Sequence, residues 1–336
     1  MADANVRGRF VWHELYTPNP AGAHEFYGKA VGWKAQAWDQ DADYVMFLAP
    51  SGPVGAPVQS RGGTPQWVPY IATSNVDETT EAATRLGGRV ETAATPLPNG
   101  GRYAILIDPQ GARFGIHSSP AQQPDTPPAE GDFSWHELAT TVAPGIAFGF
   151  YGALFDWDEI SQFDMGPMGM YLIFGRKGRQ LGGMFDKGSQ GKPGSAYWLA
   201  YVSVTDLEGT VERVKGARGS VLMGPMDVPG GDRIAQLMDP HGAFFALHKA
   251  AGQAAASQPT KAAARPGKKA AAKKPAAAKP PAKNRAAKTS PAKRLKAAAR
   301  KPAKKKPAAK KKAAPKRRAT AKPKKKAAKK AKKRGR

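Results

Sequence analysis

The chain contains two copies of one sequence pattern, and this internal repeat constrains its fold more than any other feature. The matching segments are, in chain order, Trp12–Leu15 with Trp135–Leu138, Phe26-Tyr27-Gly28 with Phe150-Tyr151-Gly152, Trp33 with Trp157, Trp67 and Tyr70 with Trp198 and Tyr201, Pro98-x-Gly100-x-Arg102 with Pro229-x-Gly231-x-Arg233, and Asp108-Pro109-x-Gly111 with Asp239-Pro240-x-Gly242. The offset between the copies grows from 123 to 131 residues, so the second copy has extra residues in its middle. We therefore expect two homologous units at 8–120 and 131–250, joined by a linker at 121–130.

Within each unit, a strand followed by a helix and further strands occurs twice. In the first unit, residues 9–17 read as a strand, and apolar residues at helical spacing predict a helix over 20–31 that ends at Gly32. A second helix is predicted over 76–86. The corresponding helices of the second unit are predicted near 144–155 and 206–216. Because the strands after each helix are joined by short connections, the pattern favours an α+β fold over a doubly wound parallel sheet.

The last part of the chain has a composition unlike the rest. Residues 261–336 contain 34 Lys and Arg, 26 Ala and 9 Pro but no Asp or Glu, whereas the preceding 260 residues carry a net charge of −7. Leu295 is the one large apolar residue of this segment. So little apolar surface cannot offset the entropy lost on ordering the chain, and we expect a disordered basic tail over 251–336.

The repeated units resemble the vicinal oxygen chelate superfamily, which includes glyoxalase I, extradiol dioxygenases and bleomycin-resistance proteins. The resemblance rests on the helix that carries Phe26-Tyr27 and ends at Gly32-Trp33, and on the Asp108-Pro109-x-Gly111 turn before a final strand. The second unit has the same features. The resemblance implies paired βαβββ modules that curl into half-open barrels around a small-molecule cavity.

Catalytic members of this superfamily hold a divalent metal with His and Glu side chains. Transferred by position, the metal-binding sites of the first unit fall on Trp12, on Trp67-Val68 and on Gly115, and the last site of the second unit falls on Ala246. None of these is a metal ligand, so we expect a protein that binds a small molecule with no metal and no cofactor. The alternative is a metal-dependent lyase or dioxygenase, whose candidate ligands are His13, Glu14, His136 and Glu137.

Alternation along the first strand places Trp12, Glu14 and Tyr16 on one face and His13 on the other. Glu14 is the stronger candidate for a pocket, and His13 is interpreted as a buried core histidine. Tryptophan rings can line a cavity or anchor a core, and an arginine after a Gly-rich loop can bind an anion or form a surface ion pair. The candidate ligand-binding residues are Trp12, Glu14, Trp67, Arg102, Trp135, Glu137, Trp198 and Arg233.

The basic tail resembles the C-terminal tails of linker histones and bacterial histone-like proteins, through units such as Lys301-Pro302-Ala303-Lys304. Dense lysine predicts salt-sensitive binding to double-stranded DNA or another nucleic acid, independent of sequence. The candidate residues are Lys273, Lys274, Lys304, Lys305, Lys306, Lys310, Lys311, Lys312, Lys324, Lys325, Lys326, Lys329 and Lys330. A further hypothesis is a nucleoid-associated protein in which the repeated units have no binding role of their own.

Composition and hydropathy also bear on where the chain works. The sequence has no cysteine, which excludes disulfide frameworks, Cys-ligated zinc and thiol catalysis. It has neither a signal-peptide pattern at its start nor an apolar run long enough to span a bilayer. We therefore expect a cytoplasmic protein without a membrane partner, and the tail adds the expectation of nucleoid association.

Overall fold

Each repeat folds into one eight-stranded mixed sheet in the computed structural model, which describes residues 7–120, 125–188 and 194–252. The first repeat consists of β1 (Phe10–Thr17), α1 (Pro20–Val31), β2 (Lys34–Trp38), β3 (Asp41–Ala49), β4 (Gly52–Gln59), β5 (Gln66–Ala72), α2 (Val76–Arg85), β6 (Arg89–Pro96), β7 (Arg102–Ile107) and β8 (Arg113–Ser118). The second consists of β9 (Phe133–Thr140), α3 (Pro144–Phe155), β10 (Asp158–Asp164), β11 (Met170–Arg176), β12 (Arg179–Asp186), β13 (Tyr197–Ser203), α4 (Leu207–Gly216), β14 (Ser220–Asp227), β15 (Arg233–Met238) and β16 (Phe244–Lys249). The predicted α+β class and tandem organisation are confirmed.

The two modules of each repeat join through their first strands. The strand order of the first sheet is β2-β3-β4-β1-β5-β8-β7-β6, and β10-β11-β12-β9-β13-β16-β15-β14 is the same order in the second. β1 runs antiparallel to β5, while β4 lies parallel to β1 on its other side. The modules therefore pair within a repeat. From residue 253 onward the predicted tail, with all its candidate lysines, lies outside the described residues.

Local signals explain why the four helices were predictable. α1 begins with Asn19, whose side chain accepts a hydrogen bond from the Gly22 amide, and it ends at Gly32 with φ of 81°.

Two strands, β2 and β10, were not predicted. Both lie at a sheet edge and are largely exposed, so they lack the apolar alternation that marks a strand with one buried face. None of the described helices is long and apolar enough to cross a membrane.

The apolar cores are shared between the repeats. One core joins Phe26 and Tyr27 of α1 to Val211 and Val214 of α4, and the other joins strands of the first repeat to α3. Each core also contains a hydrogen-bonded chain. Trp67 Nε1 donates to the Tyr27 hydroxyl, which donates to Asp239 Oδ2 of the other repeat at 3.3 Å.

The mirror chain runs from Trp198 through Tyr151 to Asp108, with 2.9 Å between the Tyr151 hydroxyl and Asp108 Oδ2. Asp108 Oδ1 accepts the amides of Gln110 and Ala112, so the same carboxylate also closes its own turn. The Asp-Pro-x-Gly motif is therefore repeated because it builds a turn and, at the same time, ties the two repeats together.

A pair of histidines lies where the two sheets meet. His13 and His136 are both 4% exposed, and their Nε2 atoms are 2.7 Å apart. Each imidazole stacks on a phenylalanine of the other repeat, His13 on Phe133 and His136 on Phe10. Burial lowers the pKa of His13 from 6.5 to about 3 and also lowers the pKa of His136. The imidazole pair is therefore a neutral part of the core at pH 7.

We expect Tyr151→Phe to lower the free energy of unfolding by about 2–3 kcal/mol, because it leaves Asp108 Oδ2 and Trp198 Nε1 buried without this partner. Urea denaturation of the full chain at pH 7 measures the change. Tyr103→Phe is the matched control, since this half-buried tyrosine lies outside the network, and it should cost less than about 1 kcal/mol. Equal losses for the two variants would contradict the assignment.

We also expect stability to fall as the solution is acidified below pH 6.5. A histidine whose folded pKa is depressed stabilises the fold above its unfolded pKa, and that contribution is lost as pH drops toward the folded value. For His13, with a folded pKa of about 3, the loss between pH 6.5 and 5 amounts to about 2 kcal/mol. Unfolding curves of the wild type and of a His13→Gln/His136→Gln double variant measure it. The variant should have the weaker pH dependence, and identical slopes would refute the assignment.

Candidate functional site

The face of the first sheet opposite the core carries a carboxylate held by tyrosine hydroxyls. Glu14 lies in the middle of β1, with its neighbours His13 and Leu15 turned into the core. Its Oε2 accepts hydrogen bonds from the Tyr16 hydroxyl at 2.8 Å and the Tyr70 hydroxyl at 2.6 Å. Its Oε1 accepts the Tyr44 hydroxyl at 3.0 Å. Three strands, β1, β3 and β5, thus each place one phenol on the same side chain. We call this surface the Glu14 face.

Aromatic and apolar side chains surround Glu14. Trp12 Nε1 donates to the Tyr44 hydroxyl at 3.0 Å, which orients that tyrosine toward the carboxylate. Tyr70 packs with Val68 and Ile105, and Tyr103 lies against this cluster. The ring of Tyr16 is covered by the guanidinium of Arg113, with 3.7 Å between Cζ and the ring centroid.

The second sheet repeats this arrangement around Glu137, and we call this surface the Glu137 face. The Tyr171 hydroxyl donates to Glu137 Oε2 at 2.9 Å, and Trp135 Nε1 donates to the same tyrosine at 3.2 Å. Gln236 Nε2 approaches Glu137 Oε1 at 3.4 Å and donates to the Tyr201 hydroxyl at 3.1 Å. Glu137 is 7% exposed, so it is a buried carboxylate, whereas Glu14 is half-buried.

Electrostatics keep these tyrosines protonated. Burial, and secondly the charge of Glu14, raise the pKa values of Tyr16, Tyr44 and Tyr70. Burial and Glu137 do the same for the pKa values of Tyr171 and Tyr201. The phenols therefore remain hydrogen-bond donors at neutral pH. A carboxylate has about four acceptor positions, so the three phenols leave roughly one of them on Glu14.

The predicted ligand-binding residues fall into three groups. Trp12 and Glu14 lie together on the Glu14 face, and Trp135 and Glu137 together on the Glu137 face. Trp67 and Trp198 lie on the opposite side of their sheets, where each is at most 4% exposed and donates to a core tyrosine. Each ring points into the shared core because it is one residue out of phase with its neighbour, Val68 or Leu199, which lies on the Glu14 or the Glu137 face.

The two predicted arginines are not brought to either face. Arg102 pairs with Asp77 at 3.0 Å, and the side chains are 40% and 58% exposed. Arg233 pairs with Asp227 and Glu208. The two arginines are equivalent, because each pairs with an acidic residue in the first turn of a helix, Asp77 of α2 or Glu208 of α4. Of the two interpretations left open by the sequence, the surface ion pair is the one observed.

The tyrosines were the functional candidates that sequence reasoning missed. Tyr70 and Tyr201 belong to the repeated pattern, and Tyr70 is two residues from Val68, a position already considered for a metal ligand. Tyr44 and Tyr171 have no such signal, because their strands reach Glu14 and Glu137 only through the sheet topology. A search for tyrosines on the strands that neighbour the two glutamates would have found Tyr70, Tyr197 and Tyr201.

The alternative metal site is not assembled by this fold. His13 and His136 face each other inside the core, while Glu14 and Glu137 point to the outer faces of two different sheets. Within the three described ranges, no three His, Cys, Asp or Glu side chains form a group that could hold a metal ion.

The position that the family gives to its last metal ligand is occupied differently in this chain. It falls on Gly115, where a Cβ atom would lie 2.3 Å from the ring of Tyr70. The Tyr70 ring takes the space of a larger side chain at residue 115, and Ala246 is the counterpart in the second repeat. A glutamate at residue 115 would therefore require the Tyr70 ring to move.

Comparison with known proteins relates both repeats to one superfamily. Residues 12–117 match the family described as Glyoxalase-like domain, and residues 145–247 match the Glyoxalase/Bleomycin resistance protein/Dioxygenase superfamily. Together the two matches cover most of both sheets, although β9 precedes the second match.

Curated relatives match more than two thirds of this chain. The chain is 29% identical over 258 residues to CFP32 of Mycobacterium tuberculosis, whose name contains the word glyoxylase; the match covers 72% of this chain and 95% of that protein. It is 28% identical over 260 residues to the anthracycline biosynthesis protein DauV of Streptomyces sp. strain C5, covering 71% and 92% of the two chains.

Solved structures share the fold at lower identity. A Mn(II)-bound glyoxalase from Novosphingobium aromaticivorans superposes with a TM-score of 0.54 at 14% identity, covering 73% of this chain and 82% of that one. The halotolerant catechol dioxygenase BphC gives a TM-score of 0.53 at 13% identity, with 73% and 88% covered. The repeated modules, the shared sheet order and the two family matches agree, and the chain belongs to the glyoxalase/bleomycin resistance protein/dioxygenase superfamily.

Proposed function

We propose that the protein binds small aromatic molecules at the Glu14 and Glu137 faces, through a hydrogen bond from the ligand to the carboxylate and without a metal ion. The observation that carries this proposal is the tyrosine-held carboxylate on the outer face of each sheet. A carboxylate removed from water is costly unless it is paired or hydrogen-bonded. The chain has such a carboxylate at two equivalent positions, Glu14 and Glu137, which favours a binding role over a purely structural one.

The geometry defines what the ligand must offer. The polar donors around each carboxylate hold it in one orientation, and on Glu14 the remaining acceptor position therefore has a fixed direction. A ligand hydroxyl or amino group that donates to this position would gain a charge-assisted hydrogen bond. Rings of Trp12, Tyr44 and Tyr70 on one face, and of Trp135, Tyr171 and Tyr201 on the other, favour a flat aromatic body. Phenols satisfy both requirements. Solved structures of similar fold include catechol and homoprotocatechuate dioxygenases, whose substrates are phenols.

Both carboxylates should contribute to the binding of 2-naphthol, a fluorescent phenol. We expect two molecules to bind per full-length chain. Glu14→Gln should weaken one site about tenfold and Glu137→Gln the other, because an amide offers one acceptor oxygen where the carboxylate offers two. Fluorescence titration and equilibrium dialysis measure affinity and stoichiometry. Glu25→Gln, a change at an exposed glutamate on α1, is the control and should leave both sites unchanged.

Metal removal distinguishes this proposal from the metal-dependent alternative. Prolonged dialysis against a chelator should leave 2-naphthol binding within twofold of its starting affinity. Loss of both sites after chelation, with recovery on adding a divalent cation, would contradict the metal-free proposal and favour a metal-dependent lyase or dioxygenase. Failure to bind 2-naphthol at either carboxylate would contradict the proposed phenol site itself.

A second proposal concerns residues 261–336, and it rests on their composition. With 34 basic residues and no acidic one, this segment binds double-stranded DNA through phosphate contacts and attaches the ligand-binding part of the chain to nucleic acid. Because the segment has no aromatic residue to stack on exposed bases, single strands are a poorer partner. Leu295, its one large apolar side chain, cannot form the apolar face of a membrane-surface helix.

DNA binding by the full-length chain should depend steeply on salt and little on sequence. For six to ten phosphate contacts, the affinity for a random duplex should fall by about 10³-fold or more between 50 and 200 mM salt. Replacing the thirteen candidate lysines by glutamine should flatten this dependence, as measured by fluorescence anisotropy. An unchanged salt slope in that variant, or binding confined to one sequence, would refute the proposal.

A further inference from the structure

The two faces differ at equivalent positions, several of which lie on one side of the carboxylate. On the Glu14 face, Thr92 and Thr95 of β6 pair with Ile105 and Tyr103 of β7. The corresponding residues of the Glu137 face are Met223 and Met226 of β14, which pair with Gln236 and Ile234 of β15. Directly paired residues point to the same side of a sheet, so both methionines share the side of Glu137.

A third position also changes from a polar residue in the first repeat to an apolar one in the second. Arg113 of β8, whose guanidinium covers Tyr16 and pairs with Glu91, corresponds to Phe244 of β16. Tyr16 itself corresponds to Ala139, so the ring that adjoins Glu14 has no counterpart on β9. Arg113 and two threonines in the first repeat are thus replaced by a phenylalanine and two methionines in the second, where the cation near the face is Lys187, with Nζ 5.5 Å from the centroid of the Tyr197 ring.

These apolar side chains are exposed. Met223 and Met226 are each 38% exposed and Phe244 is 39% exposed. Phe163, on the edge strand β10 opposite Tyr171, is 42% exposed and extends the apolar surface on the other side of Glu137. Large exposed apolar residues that cluster around a buried polar group, rather than being scattered, mark a binding surface.

The curvature of the sheet sets the size of the ligand. Phe244 lies two strands from Glu137 and the methionines lie four strands away, in the order β9-β13-β16-β15-β14. The sheet curves enough that Gln236 Nε2, three strands along on β15, lies 3.4 Å from Glu137 Oε1. Met223 pairs directly with Gln236, so it lies one strand, about 4.8 Å, beyond a side chain that contacts the carboxylate. A fused-ring molecule bound at Glu137 extends over this surface, and flexible methionines adapt to such flat apolar bodies.

We propose that the Glu137 face is selective for polycyclic phenols, whose hydroxyl donates to Glu137 while the fused rings lie over Phe244, Met223 and Met226. The Glu14 face, with Arg113 and the two threonines at the equivalent positions, is restricted to smaller phenols. This inference rests on the proposed function of the two faces and adds a division of ligands between them.

The test uses 1-hydroxypyrene as the polycyclic probe and 2-naphthol as the small one, with the full-length chain. One molecule of 1-hydroxypyrene should bind per chain, against two of 2-naphthol. Glu137→Gln should weaken the binding of 1-hydroxypyrene at least tenfold, whereas Glu14→Gln should leave its affinity within twofold of the wild-type value. Pyrene, which lacks the hydroxyl, should bind at least tenfold more weakly than 1-hydroxypyrene.

Repeat-swapped variants separate size selection from the carboxylate contact. Met223→Thr/Met226→Thr introduces the residues of the first repeat. It should weaken the binding of 1-hydroxypyrene about tenfold and leave the affinity for 2-naphthol unchanged. Thr92→Ala/Thr95→Ala is the matched control and should change neither probe. Because all four positions are partly exposed on edge strands, both variants should fold, and unchanged thermal unfolding verifies this.

Each remaining outcome decides the proposal. The division of ligands would be overturned by two equivalent 1-hydroxypyrene sites, by no binding of 1-hydroxypyrene, or by an affinity that the methionine substitutions leave unchanged. The proposed function would still stand if 2-naphthol binds at two carboxylate-dependent sites. If 2-naphthol binds at neither face, the proposed function itself is overturned.

Discussion

The contact between the two repeats is the interaction on which the rest of this structure depends. Each repeat buries one side of its sheet only by placing it against the other repeat. Phe26 and Phe150 lie in cores that combine elements of both. Because sheets with one apolar side must cover that side, the opposite side remains available for binding. The inter-repeat contact thereby determines that the two glutamate-bearing faces point away from each other.

Polar groups inside this contact make its geometry specific. Apolar packing alone tolerates small shifts, whereas a buried hydrogen bond is lost when its partners move apart. The Tyr27–Asp239 and Tyr151–Asp108 bonds and the His13–His136 pair must all be formed at once. They relate the repeats by an approximate two-fold symmetry. The residues most visible as a sequence repeat are for this reason largely those of the interface.

The outer faces have diverged where the interface has not. Both keep a glutamate, a tryptophan donor and tyrosines that reach the carboxylate from other strands. Their margins differ, with Arg113 in one repeat and Phe244 in the other. Substitutions at these exposed margins change the outer faces without disturbing the shared core.

The sequence by itself determined the fold class, the two repeats, the helix positions and the face on which Glu14 lies, because these follow from local periodicity, caps and internal similarity. Helix α1 is an example, since Asn19 and Gly32 mark both of its ends. Only the tertiary structure decided which tryptophans reach a binding face, because Trp67 and Val68 point to opposite sides and periodicity does not say which side is covered. It also decided that Tyr44 reaches Glu14, that Arg102 pairs with Asp77 and that His13 meets His136. These contacts join residues far apart in the chain, and their partners are chosen by strand order and sheet packing, which no local pattern encodes.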